Sequence, residues 1–597
     1  MDPQREAIAC AEMRYVGAMR LPRLKWYEWS AIALVIVVRV AAVLSFLETD
    51  YAEHPLVDAY TYWGQARDLF SGKDPFVEGL YQPPGYPYFL SLLANLTGRP
   101  ELSAVRWAHA GLGMISSLLL LGLGRSLGGR VGVPWAGAAA AVLFTLYPTT
   151  LMFELDILTP ALTTALLLGA VATSWWGARA VLGLVSGVLL GLAAVCHPTY
   201  LLAAAVLGVW SFMKSRLRGL LLLAGLAVTL MPTTAKNLED FDKPTLVSHN
   251  AGVNLYLGNN PAWRHTAFLR PGLPFRKLVL EADPASRDVS ERNTYWRERT
   301  LAEIIEHPDA WAAALVTKAY WSIHNTEIPR NEDYRCRVEV EPLRWIGWLP
   351  VRYGLVFPLA LIGLVSIRRR GEGRLLGGLW LTLHVPLIIF LVADRYRLAT
   401  WPVVCLLAPL GIAGIGRAIQ RMRAGARPSV RWLLVLPAVV VPWLPTDRII
   451  EKDPAWCLHV QGNLAYMEQR LDEAMELYQA SLGLDAGNIS AWNYVAALHH
   501  RADRHAEAAV AMQHVLDDFP DHFPSLRFMS QIQEDLGDRI TAAAFMGRAF
   551  RVPGERTSSG IRYVKMLVAA GQIAEARTVL AENPDLARHP KLEGVVP

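Results

Sequence analysis

Apolar positions follow two regimes along the chain. Between residues 29 and 445 they form long blocks separated by short polar stretches. From Ala455 onward they thin to the spacing of amphipathic helices. A bilayer-crossing helix needs about 20 apolar residues. On that measure the clear spans are Trp29–Leu47, Ala104–Leu123, Leu155–Trp175, Leu217–Met231, Tyr353–Ile367, Leu375–Val392 and Ala399–Ile415. Shorter ones are Trp135–Tyr147, Val181–Val195, Thr199–Phe212 and Trp432–Leu444. The expected fold class is therefore an all-α polytopic membrane protein of about eleven transmembrane helices with a soluble helical part after it.

The arginines and lysines give this count a test. They cluster at Arg14/Arg20/Arg23/Lys25, Arg125/Arg130, Arg179, Lys214/Arg216/Arg218, Arg368/Arg369/Arg370/Arg374 and Arg417/Arg421/Arg423/Arg427/Arg431. With eleven spans every cluster falls on one side, which the positive-inside rule makes the cytoplasm. The segments 48–103 and 234–350, the turns near Glu154, His197 and Asp394–Arg397, and everything after Leu444 then lie outside. The sequence divides into a cytoplasmic tail 1–27, a membrane domain 28–446 and an external repeat domain 452–597. The first apolar run carries no small-residue cleavage site, so it reads as an anchor and not a cleaved signal.

The C-terminal part is repetitive. Ala474, Ala508, Ala542 and Ala576 stand 34 residues apart, each followed four residues later by a large apolar residue: Tyr478, Met512, Met546 and Leu580. A 34-residue period with a small residue where paired helices touch is the tetratricopeptide pattern. It predicts a solenoid with a concave surface that suits a protein or peptide partner.

Composition adds little that these patterns do not explain. Hydrophobic residues make up 53% and charged residues 19%, and the net charge of +5 is a topology signal with no nucleic-acid footprint. The five cysteines show neither a CxxC pair nor zinc spacing; a Cys336–Cys457 bridge is compatible with the sequence but not demanded by it. Walker, HExxH and GxSxG motifs do not stand out, and the Leu220–Gly225 stretch reads as helix packing. Trp311, Trp321, Trp345 and Trp348 read as an interfacial belt.

Chemistry is concentrated in the first external loop. Tyr62, Ala66, Leu69 and Phe70 form the apolar stripe of a helix lying along the membrane surface, with Asp58 at its start and Gly72 at its end. By residue type alone Asp58 reads as a helix N-cap. The turn Tyr81-Gln82-Pro83-Pro84-Gly85-Tyr86-Pro87 follows. Further on come Asn250-Ala-Gly252-Val-Asn254-Leu-Tyr256-Leu-Gly258-Asn259-Asn260-Pro261 and Asp394-Arg395-Tyr396-Arg397-Leu398. In this order the segments resemble the C superfamily of membrane glycosyltransferases, in particular the protein O-mannosyltransferase and aminoarabinose-transferase-like group. The resemblance covers roughly residues 25–420.

The resemblance implies inverting transfer of a hexosyl or pentosyl group from a polyprenyl-phosphate donor, on the external face of a bacterial-type inner membrane. The acceptor is a glycan, lipid or protein. A phosphate leaves readily, so the chemistry needs a base for the acceptor hydroxyl and cations for the phosphate, not a general acid. Asp58 takes the position of the base. Glu154 and Asp156 take that of a second acidic patch, Asp156 being the better placed. Arg395 and Arg397 take that of the phosphate clamp. Gln82 stands where aminoarabinose transferases carry a lysine, and His197 where related chains carry a cation; Lys236 is placed to compensate. Tyr62, Gln82, Tyr86, Asn254, Tyr256 and Asn259 fall in the expected substrate loops. No metal ligands are implied, and a divalent cation is the one cofactor left open. Expected partners are the lipid-linked sugar, its acceptor, membrane lipids and a protein held by the repeats, with no nucleic acid. Two other readings remain: a lipid-linked polysaccharide polymerase or ligase, and a non-enzymatic membrane-anchored repeat scaffold.

Overall fold

The computed structural model describes residues 23–596 apart from 177–178, 270–271, 273, 276–277, 279–287, 331, 426–435, 447–450 and 553–555. The arginines expected at 14, 20, 427 and 431 lie outside the described residues. Every regular element among the described residues is helical. The first part comprises α1 (Trp26–Leu47), α2 (Asp58–Phe70), α3 (Gly85–Thr97), α4 (Leu102–Val131), α5 (Ala136–Thr145), α6 (Pro148–Leu155), α7 (Pro160–Trp176) and α8 (Val181–Cys196). It continues through α9 (Tyr200–Lys214), α10 (Arg216–Phe241), α11 (Ala251–Asn259), α12 (Val289–Glu306), α13 (Pro308–Ile323), α14 (Tyr353–Ile367), α15 (Gly371–Ile389) and α16 (Trp401–Arg423).

Ten of the eleven expected apolar segments coincide with helices of this set. By length and composition, α1, α4, α10 and α16 are long and apolar enough to cross a membrane, and α5 with α6, bent by 59° at their junction, form a candidate fifth span. The chain is thus a multi-pass membrane protein. The other apolar helices (α7, α8, α9, α14 and α15) have 15 to 19 residues. The eleventh segment departs from expectation. The described part of Trp432–Leu444 is a five-residue helical turn, Leu436–Val440, followed by a 3₁₀ turn. Pro437, Pro442 and Pro445 remove the donors a continuous helix needs. The segment instead lies against the end of α13, where Pro442 O accepts from Asn325 N at 2.9 Å.

Glycine sets the closest helix contacts. A Cβ at Gly187 would lie 2.0 Å from Leu222 O, and one at Gly225 2.4 Å from Leu184 O. The α8–α10 crossing therefore tolerates no side chain there, as the apolar, glycine-containing stretch 220–225 predicts.

The basic ends of the helices meet one another. Arg125 pairs with Glu28 at 3.2 Å, Arg130 pairs with Glu372, and Arg370 donates to Arg130 O at 3.3 Å. At the same end Arg218 donates to Thr173 O at 2.6 Å and Lys214 to Ser174 O at 3.0 Å. Asp58, Asp156, His197 and Arg395 lie apart from these contacts, around two cavities that share Asp58 and Arg395. The tryptophans do not form one belt. Trp321 is buried against Trp263, Trp311 donates to Asn259 Oδ1 at 3.0 Å, and Trp345 donates to Ser45 Oγ at 3.2 Å; Trp348 is the one that stands exposed.

The second part is a solenoid of hairpins: α17 (Pro454–Met467) with α18 (Leu471–Leu484), α19 (Ile489–Arg501) with α20 (His505–Asp518), α21 (Phe523–Asp535) with α22 (Arg539–Arg551), and α23 (Arg556–Ala569) with α24 (Ile573–Glu582). The four periodic alanines are fully buried, as are Tyr478, Met512 and Met546. In the last hairpin Val579 is buried where Leu580 was expected, and Leu580 is half-buried. The solenoid is joined to the first part by a Cys336–Cys457 disulfide and by an apolar cluster in which Trp456, Val460 and Leu464 of α17 pack among Phe46, Tyr51, Leu343 and Ile346.

Each periodic alanine fixes a helix–helix separation, so enlarging one overpacks the solenoid by about 1–3 kcal/mol. Ala508→Leu is expected to lower the thermal midpoint of the repeat domain. Val510→Ala, at an exposed position of the same helix, should leave it unchanged; differential scanning calorimetry of the full chain checks both.

Candidate active site

Four segments converge at the end of the bundle away from the basic loops. The first is the start of α2. Val57 caps this helix with φ +52°, a backbone conformation that a β-branched residue avoids at a cost of order 1–3 kcal/mol. Asp58 is therefore the first helical residue and not the cap, and its carboxylate is turned to the interior of the site. The second is the end of α6, where Asp156 is the C-cap. The third is the irregular stretch 326–337, and the fourth the short turn Asp394–Arg397.

Arg395 Nη1 donates to Asp58 Oδ2 at 2.6 Å, and its Nη2 donates to Tyr396 OH at 2.7 Å. Its buried Nε has no hydrogen-bond partner among the described residues. Beside this pair lies Arg330, only 9% exposed. Its Nη1 donates to Ala267 O at 3.0 Å, and among the described residues no carboxylate stands within ion-pair distance of it. Burial lowers the Arg330 pKa from its ordinary value. Burying a guanidinium without a carboxylate is costly, and an anion placed beside it would offset that cost.

Two cavities meet at these groups. A small inner cavity of about 30 Å³ is lined by Asp58, Asp156, Arg330, Glu332, Arg337, Asp394 and Arg395. A larger one of about 480 Å³ shares Asp58, Arg330 and Arg395 and extends past Tyr62, Tyr81, Gln82, His197, Asn250, Asn254 and Tyr396. Its far wall is apolar, built from Leu201, Leu202, Leu383, Leu387 and Phe390. Asp156 is held by Arg337 at 3.2 Å. Asp394 Oδ1 accepts from Arg395 N at 2.7 Å, and burial, then the Glu327 charge, raise its pKa well above the usual carboxylate range. Burial, then the Asp58 charge, raise the Tyr62 phenol, which stays protonated.

The expected site residues separate into those that line the cavities and those that support them. Asp58, Asp156, Arg395, His197, Tyr62, Gln82 and Asn254 line them. Glu154 does not: Arg39 grips both its oxygens, at 2.8 and 3.0 Å, inside the bundle. Arg397 also points inward, donating to Glu327 at 2.5 Å and to His324 O at 2.6 Å. Lys236 lies off the site, paired with Asp240 at 3.2 Å. Tyr86 is a buttress. His109 Nδ1 faces two carbonyls, Glu154 O and Asp156 O, at 3.2 and 3.1 Å, so it carries the ring proton, and Tyr86 OH donates to Nε2 at 3.0 Å. Tyr256 packs on Trp296, and Asn259 Oδ1 accepts from Lys318 at 3.1 Å. Arg330, Glu332 and Arg337 also line the inner cavity, and no sequence motif points to them. Their signal is the run Glu327-Ile-Pro-Arg-Asn-Glu-Asp-Tyr-Arg-Cys-Arg337, densely charged in a chain that is otherwise 19% charged. Among the described residues the clusters with metal-ligand spacing, His500/His505/Asp535 and Glu303/Glu306/His307, lie away from both cavities.

Fold and site together define a multi-pass helical membrane protein with an acid–arginine cavity at one end of its bundle and a helical-repeat solenoid beside that end. No protein-family model matches the chain. No curated protein matches it either. Among solved structures it is similar to the oligosaccharyltransferase of Archaeoglobus fulgidus in the apo form, at 14% identity and a TM-score of 0.40, covering 75% of this chain and 59% of that one. It is also similar to ArnT from Cupriavidus metallidurans bound to undecaprenyl phosphate, at 15% identity and a TM-score of 0.28, covering 65% of this chain and 78% of that one. Yeast Tom70 is similar as well, at 14% identity and a TM-score of 0.16, covering 75% of this chain and 93% of that one. The chain thus spans 59% of the length of the archaeal enzyme.

Burial lowers the His197 pKa from 6.5 to about 4, and the Arg395 charge adds to the effect. The unfolded chain then takes up a proton that the folded chain refuses, so stability falls as pH drops from about 6.5 towards 4 and is regained above that window. His197→Gln is expected to flatten this part of a thermal-midpoint-versus-pH curve.

Proposed function

We propose that the chain is an inverting glycosyltransferase that moves a sugar from a polyprenyl-phosphate donor to an acceptor hydroxyl on the external face of the membrane. The observation that carries this reading is the Asp58–Arg395 ion pair beside Arg330, which has no carboxylate partner among the described residues, at the junction of the two cavities.

In this reading each group has a part. The donor phosphate enters between Arg330 and Arg395, which offer N–H groups in planar forks suited to phosphate oxygens. Arg395 exchanges its carboxylate partner for the phosphate, and Asp58 is released as a base. The acceptor O–H gives its proton to an Asp58 oxygen as the acceptor oxygen bonds to the anomeric carbon. The bond from that carbon to the phosphate oxygen breaks, and the electron pair stays on the phosphate, held by the two guanidinium groups. One displacement from the face opposite the leaving group inverts the anomeric centre. The sugar occupies the polar part of the large cavity, near Gln82, Asn254 and His197, and the prenyl chain lies along the Leu383–Phe390 wall. The same reading puts the basic helix ends in the cytoplasm and the site, with residues 452–597, outside.

Asp58→Asn keeps the shape and removes the base, so kcat is expected to fall by about 10²–10⁴ with little change in donor KM. Arg330→Gln is expected to lower kcat/KM by about 10²–10³. Both are measured with purified protein, a short-chain polyprenyl-phosphate sugar and a panel of acceptors. Full activity of Asp58→Asn would reject the base assignment. Transfer only from lipid-pyrophosphate donors would favour a polymerase or ligase, and absence of all transfer would favour a scaffold.

A further inference from the structure

The most unexpected contact in the molecule is the one between the first repeat helix and the segment that carries Arg337. Among the described residues of 326–337 the regular structure is one four-residue helical turn, Tyr334–Arg337. Their end is nevertheless held on several sides. Arg337 is buried, donates from Nε to Glu332 Oε2 at 2.9 Å, pairs with Asp156 at 3.2 Å and lies over the Tyr51 ring at 4.8 Å. The residue before it, Cys336, is bonded to Cys457 of α17.

The same helix supports the other half of the pair. Trp456, Val460 and Leu464 share an apolar cluster with Leu151, Met152 and Leu155 of α6, the helix that Asp156 terminates. Polar contacts close the rim: Glu468 meets His54 at 2.6 Å, Arg470 pairs with Asp50, and Lys452 pairs with Glu339. Asp50 and His54 flank Tyr51, the ring beneath Arg337. Among the described residues none of the solenoid lines either cavity, so these contacts bear on the site only through the segments they hold.

We propose that the first repeat hairpin is part of the active-site framework: the Cys336–Cys457 bridge and the α17 cluster are positioning elements that hold Arg337 against Asp156 and so fix the inner cavity. This rests on the glycosyltransferase reading for its effect on rate, but not for its effect on structure. The bridge spans 121 residues of sequence and ties the tail to a site residue one position away. Reduction loosens the site without removing any group that touches substrate.

The test uses the full chain in nanodiscs, as the oxidised wild type, the reduced wild type and Cys336→Ser/Cys457→Ser. Thiol labelling follows the bridge, and the thermal transition confirms that each form is folded. The expected result is a fall in kcat of about tenfold or more with donor KM within about twofold, because small misplacement in a site acts on the rate more than on binding. Reoxidation of the reduced wild type should restore kcat. Amide hydrogen exchange is read in parallel, and residues 153–157 and 332–337 should lose protection on reduction. If both thiols label while kcat and those amides are unchanged, the proposal is overturned. If the amides loosen but the wild type transfers no sugar, the positioning stands and the glycosyltransferase reading fails.

Discussion

A guanidinium is costly to hold in a water-poor cavity without an anion, and the charges at this end of the bundle are arranged around that cost. Arg395 meets it with Asp58, at 2.6 Å. Arg337 meets it with Asp156 and Glu332, and Arg397 with Glu327. Arg330 has only a carbonyl as its described partner. Among the described residues Arg330 is thus short of negative charge, next to Arg395, which is paired with Asp58. In the proposed reading a phosphate would relieve the first and free the carboxylate of the second, so that binding the leaving group and uncovering the base would be one event.

The surrounding structure serves to keep these charges apart and correctly aimed. Val57 accepts an unfavourable backbone conformation at the entry to α2, and the Asp58 carboxylate reaches Arg395 without acting as a cap. Tyr86 and His109 fix the backbone on both sides of Leu155, and so the direction in which Asp156 leaves its helix. Glu154, two residues earlier, faces the opposite way and ties α6 to α1 through Arg39. Neighbouring carboxylates thereby take different tasks, one in the bundle and one at the cavity.

Much of this was legible in the residues. The apolar blocks and the alternation of arginines gave the helices and their common basic end, and the 34-residue period gave the hairpins down to the buried alanines. Asp58 and Arg395, 337 residues apart in sequence, were both named from their motifs, although no pattern could say that they touch. What was not legible depended on side-chain direction. Arg395 and Arg397 share one short turn, and sequence cannot tell which faces the cavity and which the core. Glu154 and Asp156 posed the same problem across a helix end, and the preference for Asp156 agrees with where the cavity lies. The run 327–337 sits in a long loop without periodicity, so nothing in the residues demands the bond of Cys336 with α17 or points to the pairing of Arg337 with Asp156. The three prolines of 437–445 were visible in the sequence, and they, more than hydropathy, decide the path of that segment.

The most direct measurement is a structure of the chain with a polyprenyl phosphate bound. The account predicts the phosphate between Arg330 and Arg395, the Asp58–Arg395 contact lengthened beyond hydrogen-bonding distance, and the prenyl chain against Leu383, Leu387 and Phe390. A phosphate bound elsewhere, with the Asp58–Arg395 pair intact, would contradict it.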